Sequence, residues 1–267
     1  MPLKRPSPLP FACVALLFAS LSSAPLFATS GEEARQLVNA KARVLFMKHR
    51  RAIKALESTL RNPAYKAFFS SPDPERRATH REEIAQTTLK VQRYFDVEEM
   101  CLIDRDGNEL VRMVAGALDP HLSTDEEHNV FFEPAFALPE GDVLVSPVYR
   151  SPDSGEWVLA YVTPIALQEE NVALLHYEQK LTGVADDLVD GLDPSTQALL
   201  AFDEEARVLF DSRDPELPPP GGGALPTMRD GLGLEAFVRA AEREEAVDGA
   251  RVAVRKVRGW TLVALHR

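Results

Sequence analysis

Between Gly31 and Leu60, apolar residues at Leu37, Val38, Leu45, Ile53, Leu56 and Leu60 recur at near-helical spacing in a stretch without proline. The spacing predicts one long amphipathic helix, roughly 45 Å long at 1.5 Å per residue. A compact domain needs less, so part of this helix is expected to pack on something else, such as a second copy of the chain. After breaks at Asn62-Pro63 and at Ser70-Ser71-Pro72-Asp73-Pro74, a second helix is expected over about 75–94, capped by Ser71 or Asp73. The period then changes to that of strands. "MCLIDRDGNELVRMVA" (100–115) is an apolar run, an Asp-Gly turn and a second apolar run, the signature of a tight hairpin. Ser123-Thr124 ahead of Asp125-Glu126-Glu127 predicts a short helix. Strands follow at about 142–149, 156–165 and 171–178.

The hairpin plan returns. "LAFDEEARVLFD" (200–211) has the layout of "CLIDRDGNELVR" (101–112), with Glu205-Ala206 in place of the glycine turn, so its turn is expected to be less tight. "ALLHY" (173–177) and "VALHR" (263–267) both close on a strand and a histidine, which predicts one shared structural role for His176 and His266. Between them the pattern predicts a loop at Pro218–Gly223, a helix over Leu234–Glu245, and strands at Ala250–Val257 and Trp260–His266. One α/β unit therefore occurs twice, over 96–182 and 195–267, joined near Thr182–Ser195 and preceded by a helical region over 29–95.

Of 267 residues, the first 28 read as a secretory signal: Lys4 and Arg5, then an apolar run from Phe11 to Leu21, then Ala28. The run is interrupted by Ser20, Ser22, Ser23 and Pro25 and is short for a membrane span; an uncleaved leader would leave a single N-terminal anchor. The expected location is periplasmic or secreted. Without Lys4 and Arg5, 28 basic residues face 41 acidic ones, a net charge of −13, which disfavours nucleic acid as a partner. Cys101 is then the one cysteine, so no internal disulfide is expected, and its apolar neighbours predict a buried thiol.

The order of the long helix, "CLIDRDGNELVR", "FFEPAFAL", "GDVLVSPVYR", "WVLAYVTPI" and "VALLHYE", followed by "LLAFDEEARVLFDS" and "GWTLVALHR", resembles the extracytoplasmic double Cache sensors over residues 31–267. The resemblance implies an α/β (α+β) chain: a long N-terminal helix, then two tandem PAS-like antiparallel-sheet units. It also implies a small organic ligand, held in the first unit between one sheet face and a loop cover. Family members usually continue into a transmembrane helix and an output domain. This chain stops at Arg267, so the expectation is that it reports ligand occupancy to a membrane-bound kinase, cyclase or chemoreceptor. Arg150 and Trp157 are seven residues apart, which departs from the Arg-x-Trp-Tyr pattern by which amino-acid-binding members hold a carboxylate.

The candidate ligand residues are Tyr149, Arg150, Trp157, Tyr161 and Thr163, with Arg112 on the hairpin and Phe131 of "FFEPAFAL". Trp157, Tyr161 and Thr163 share one strand face. Amphipathic rings suit a concave site, and Arg150 or Arg112 suits a ligand carboxylate. Pro147 and Pro164 are expected to end or bend ladders at the pocket rim. His121 and His128 flank a helix cap and are expected to diverge, so neither a metal nor a cofactor is expected. No nucleophile motif or phosphate loop points to an enzyme. A ligand-binding sensor is the primary reading, and a protein–protein adaptor with a vestigial pocket is the alternative. The long helix is the expected surface for homodimer formation.

Overall fold

In the computed structural model, which describes residues 27–92, 98–219, 223–227 and 233–267, two antiparallel sheets share one long helix. All but the last two residues of the expected leader lie outside the described residues, as do positions 220–222 of the expected loop. Among the described residues no helix is long and apolar enough to cross a membrane.

The first sheet contains β1 (Glu99–Asp104), β2 (Glu109–Val114), β3 (Ala117–Leu118), β4 (Leu144–Val145), β5 (Tyr149–Arg150), β6 (Trp157–Leu167) and β7 (Glu170–Lys180). Their order is β3-β2-β1-β7-β6-β4, with β5 also paired to β6. The second contains β8 (Gln197–Phe202), β9 (Val208–Asp211), β10 (Ala246–Val247), β11 (Ala250–Val257) and β12 (Trp260–His266), ordered β10-β11-β12-β8-β9. In both sheets the hairpin's first strand pairs with the unit's last strand. Both hairpins also slip register at the same point, Leu102/Ile103 and Ala201/Phe202.

The two hairpin turns are alike, contrary to expectation. Gly107 has φ 80° and Ala206 has φ 60°. Asp104 and Asp203 each accept backbone amides two and four residues on, at 2.8–3.0 Å. This side-chain cradle holds Ala206 in a left-handed conformation that glycine adopts more readily. A second expectation also fails. His176 pairs across the sheet with Cys101, whereas His266 pairs with Gln197. The counterpart of His176 is Val263, opposite Leu200; His266 instead faces Glu33, at 3.3 Å.

The long helix, α1 (Phe27–Thr59), buries Ala34, Val38, Ala42, Leu45, His49, Ala52 and Leu56 along one stripe. That stripe lies on β11 and β12 of the second sheet and reaches β6 of the first. Its length therefore spans both sheets of its own chain; Val44, Phe46 and Met47 remain exposed. Two hydroxyls tie it to the first sheet: Tyr161 to His49 Nδ1 at 2.9 Å and Tyr177 to Thr59 Oγ1 at 3.2 Å.

Two further helices lie where none was expected, one between the two breaks and one in the linker. In α2 (Ala64–Ser70), Tyr65 and Phe68 are buried; after α3 (Pro74–Gln92) and the first sheet, α5 (Leu181–Val189) buries Leu181, Val184 and Leu188. Asp73 Oδ1 accepts the Glu75 amide at 3.0 Å at the start of α3, and α6 (Leu234–Arg243) lies against β11. The helix expected at 123 is a single 3-10 turn, Glu126–His128, followed by α4 (Phe132–Phe136). The strand expected over 142–149 is split into β4 and β5 around Pro147, where no ladder donor is available. Pro164 stays within β6, paired with Leu174, beyond the point where β4 has ended.

Candidate functional site

Strand alternation sorts the predicted residues onto two faces. Tyr149 is opposite Val158, and Arg150 is opposite Trp157, so the two neighbours look in different directions. Leu159 and Tyr161 pack under the helices, together with half-buried Trp157. Thr163, fully buried, shares their face through its partner Leu175. Trp157 Nε1 donates to Gly223 O at 2.7 Å. Arg150 is exposed and donates through Nε to Gly155 O at 3.1 Å, closing the turn before β6. The single pocket lined by all these residues is therefore not formed. Tyr149, Phe131 and Arg112 lie on the other face, which carries the chemistry.

On that face β1 presents Glu99 and Cys101, β2 presents Glu109 and Arg112, and β7 presents His176 and Glu178. Arg112 is the hub. Its Nε lies 3.1 Å from Glu99 Oε1, its Nη1 3.7 Å from Glu109 Oε2 and its Nη2 3.1 Å from Asp153 Oδ2. The Cys101 thiol lies 2.6 Å from Glu109 and 3.1 Å from Glu99. The Tyr149 hydroxyl donates to Glu178 Oε2 at 2.8 Å and lies 3.2 Å from His176 Nε2. His176 Nδ1 is buried and has no hydrogen-bond partner among the described residues. Phe131 closes the top, stacked on His176 at 4.5 Å and tilted against Tyr149 at 5.9 Å.

Four carboxylates, those of Glu99, Glu109, Asp119 and Asp153, lie 3.1–3.9 Å from one guanidinium, and Glu126 and Glu178 adjoin them. A single thiol proton cannot serve both neighbours of Cys101, so at least one of those acids must hold a proton for both contacts to be favourable. Burial pushes Glu99 and Glu126 up to about 7 and Glu178 up to about 8, overcoming the opposing pull of Arg112 on Glu99. Burial holds His176 down at about 3, with a further contribution from Arg112. The Cys101 thiol is pushed up by burial and by Glu99 and Glu109, which keeps it from acting as a thiolate. Glu99, Cys101 and Glu109 offer atoms within 4.8 Å of one another, as do Glu109, Glu126 and Asp153. Metal ions are bound at such spacings, but here Arg112 already brings positive charge to three of those carboxylates. His121 and His128 lie outside, both exposed, beside Asp119 and Glu127.

Most of this cluster escapes a reading of single strands, since each acid looks like a solvated residue. Register makes it visible. Glu99, Cys101, Glu109, His176 and Glu178 correspond to Ala198, Leu200, Val208, Val263 and Leu265 in the second sheet. There the same face is a packed aliphatic core closed by Phe237 and Ala240 of α6. Only Arg112 has a charged counterpart, Asp211.

The cover, residues 119–136, is tied down on both sides. Glu109 N donates to Ser123 O at 3.0 Å, Ser123 N to Glu109 Oε2 at 2.7 Å, and Glu126 N to Gly107 O at 3.1 Å. At its far end Asn171 Nδ2 donates to Phe136 O and Leu138 O, both at 2.9 Å. Gly107 permits this closeness: a Cβ there would lie 2.1 Å from Glu127 Oε2 and 2.8 Å from Glu127 N. Gly107→Ala is expected to lift the cover and cost about 1–3 kcal/mol in urea denaturation, whereas Gly141→Ala, with open space around its Cβ position, should cost only its backbone strain.

No family model and no curated protein sequence matches this chain. Solved structures match it over nearly its full length. The ligand-binding domain of the Campylobacter jejuni chemoreceptor Tlp3, in complex with L-norvaline, has a TM-score of 0.66 at 13% identity, covering 90% of this chain and 91% of that one. A domain of a sensory box/GGDEF family protein from Vibrio parahaemolyticus gives 0.69 at 12% identity, covering 90% and 96%. The extracellular domain of the histidine kinase vpHK1S-Z8 gives 0.67 at 11% identity, covering 89% and 92%. The fold of this chain is that of these sensory domains.

Proposed function

We propose that this chain, which has the double Cache fold, is a small-molecule sensor module whose ligand sits between the charged face of the first sheet and its cover. The contrast between the two sheets carries this reading. The second sheet closes the same face with aliphatic residues, so the fold itself does not require a buried cluster of acids. The Tlp3 domain, with the same architecture, is solved with L-norvaline bound. The ligand proposed here carries a cationic ammonium or guanidinium group, because the carboxylates outnumber the one guanidinium they face and are otherwise balanced by protons. An exported module of this kind would report its occupancy to a membrane-bound kinase, cyclase or chemoreceptor.

The test is the melting temperature of the full chain with propylamine, putrescine and agmatine, against propionate and succinate as anions. At least one amine should raise it at pH 8 and do so less at pH 6, where protons compete for the same oxygens. Glu178→Gln should remove the response. Stabilisation by the anions alone, or by none of the five, would overturn the reading.

A further inference from the structure

A second cavity lies where the two sheets meet. Its volume is 510 Å³, within the range of about 300–1,000 Å³ that holds small organic ligands. One wall is the β4–β5 segment, with Val145, Pro147 and Val148; the other is the β8–β9 turn and the β11–β12 turn, ending in Trp260. An occupant would therefore touch both units. The cavity is distinct from the charged face, which lies on the other side of β6.

Its charges are unevenly committed. Arg207 is fully engaged: its Nε lies 2.6 Å from Asp203 Oδ2 and 3.4 Å from Glu205 Oε2, and its Nη2 is 3.5 Å from Val148 O. Arg258, on the opposite turn, pairs with no carboxylate among the described residues; its guanidinium carbon stands 5.9 Å from the centre of the Phe46 ring. The field of that guanidinium reaches the buried pair behind the cavity wall. It adds to burial in holding His49 down, at about 4, and opposes burial at Tyr161. Trp260 separates the cavity from that pair, with its ring 6.4 Å from the His49 ring and edge-on. The result is a recess with one apolar wall and, facing it, a guanidinium that no carboxylate neutralises among the described residues. Glu204 and Glu205 are exposed at the rim, which disfavours a second negative charge on the occupant.

We infer that the cavity between the sheets binds a small apolar monocarboxylate, with Arg258 as the anchor of its carboxylate and Trp260 against its hydrocarbon body. A guanidinium matches a carboxylate in charge and in bidentate geometry, and the valines and the indole match an aliphatic chain. The occupant would bridge the two units without touching the site on the first sheet.

Octanoate is the probe, added to the full chain carrying Trp157→Phe, which leaves Trp260 as the sole one of the two tryptophans. Octanoate should change Trp260 emission saturably. Arg258→Gln, an exposed turn position, should leave the melting temperature unchanged and weaken octanoate at least about tenfold, the loss of one charge-assisted contact. Glu178→Gln should leave the octanoate affinity as it was. The inference is overturned by an emission that does not saturate, by octylamine binding as tightly as octanoate, by an unchanged affinity in Arg258→Gln, or by a loss in Glu178→Gln.

Discussion

Without added ligand, the melting temperature should be highest near pH 5 and lower by about 5–10 °C at pH 8.5. The cause is the set of acids on the first sheet. Glu178 is pushed up to about 8, and Glu99 and Glu126 to about 7, by burial. Between the ordinary carboxylate value and these values, the folded chain keeps protons that the unfolded chain has released. Their contribution is complete below about pH 4.5 and is lost as the pH rises through about 7–8, a few kcal/mol in all. On the acid side the sign reverses. His176 and His49 are held down at about 3 and about 4, mainly by burial. The unfolded chain protonates its histidines below about 6.5 while the folded chain does not, so stability is lost as the pH falls toward those values. Melting curves from pH 4 to 9 test this, and Glu178→Gln should flatten the alkaline limb. A profile level between pH 6 and 8.5 would show that these carboxylates ionise freely in contact with water.

Replacing Arg112 should cost about 3–5 kcal/mol, because it leaves buried carboxylates without their counter-charge. Its side chain is 11% exposed and it faces Glu99, which is buried, at 3.1 Å. Arg112→Met, which keeps much of the volume, should show this loss in urea denaturation at pH 8 and a smaller one at pH 5, where protons neutralise the acids. Arg105→Met is the contrast. It removes a surface pair with Glu170, both more than half exposed, and should cost less than about 1 kcal/mol. Equal losses at the two positions would mean that Arg112 is merely solvated.

The periodic parts of the chain were the legible parts. The helix over 31–60, both hairpins, and the strands over 250–257 and 260–266 follow from spacing and turn residues, because those signals are local. The duplication was legible for the same reason, as both hairpins carry an Asp-initiated turn. What failed was whatever depends on pairing between strands. Tyr149 and Tyr161 look equivalent in sequence, yet register directs one to the acids and the other to His49. The two terminal histidines are three positions out of register, since Val263 is opposite Leu200 as His176 is opposite Cys101. Glu99, Glu109 and Glu178 carried no warning of burial within their own strands. Setting each beside its counterpart Ala198, Val208 or Leu265 would have given one.

The two tyrosine ties on α1 have a mechanical consequence. Both fall in its C-terminal half, at His49 and Thr59, while the helix begins at Phe27. The arm from His49 back to Phe27 is therefore about 33 Å long at 1.5 Å per residue, and it rests on β11 and β12. Glu33 beside His266 and the buried Ala34, Val38 and Ala42 hold that arm on the second sheet, so the helix is anchored to both sheets at once. A tilt of the first sheet by about 4°, acting over an arm of that length, would displace its far end by about 2 Å, which the second sheet must follow or resist. A movement of the first sheet would thus be felt at the second through the body of the helix.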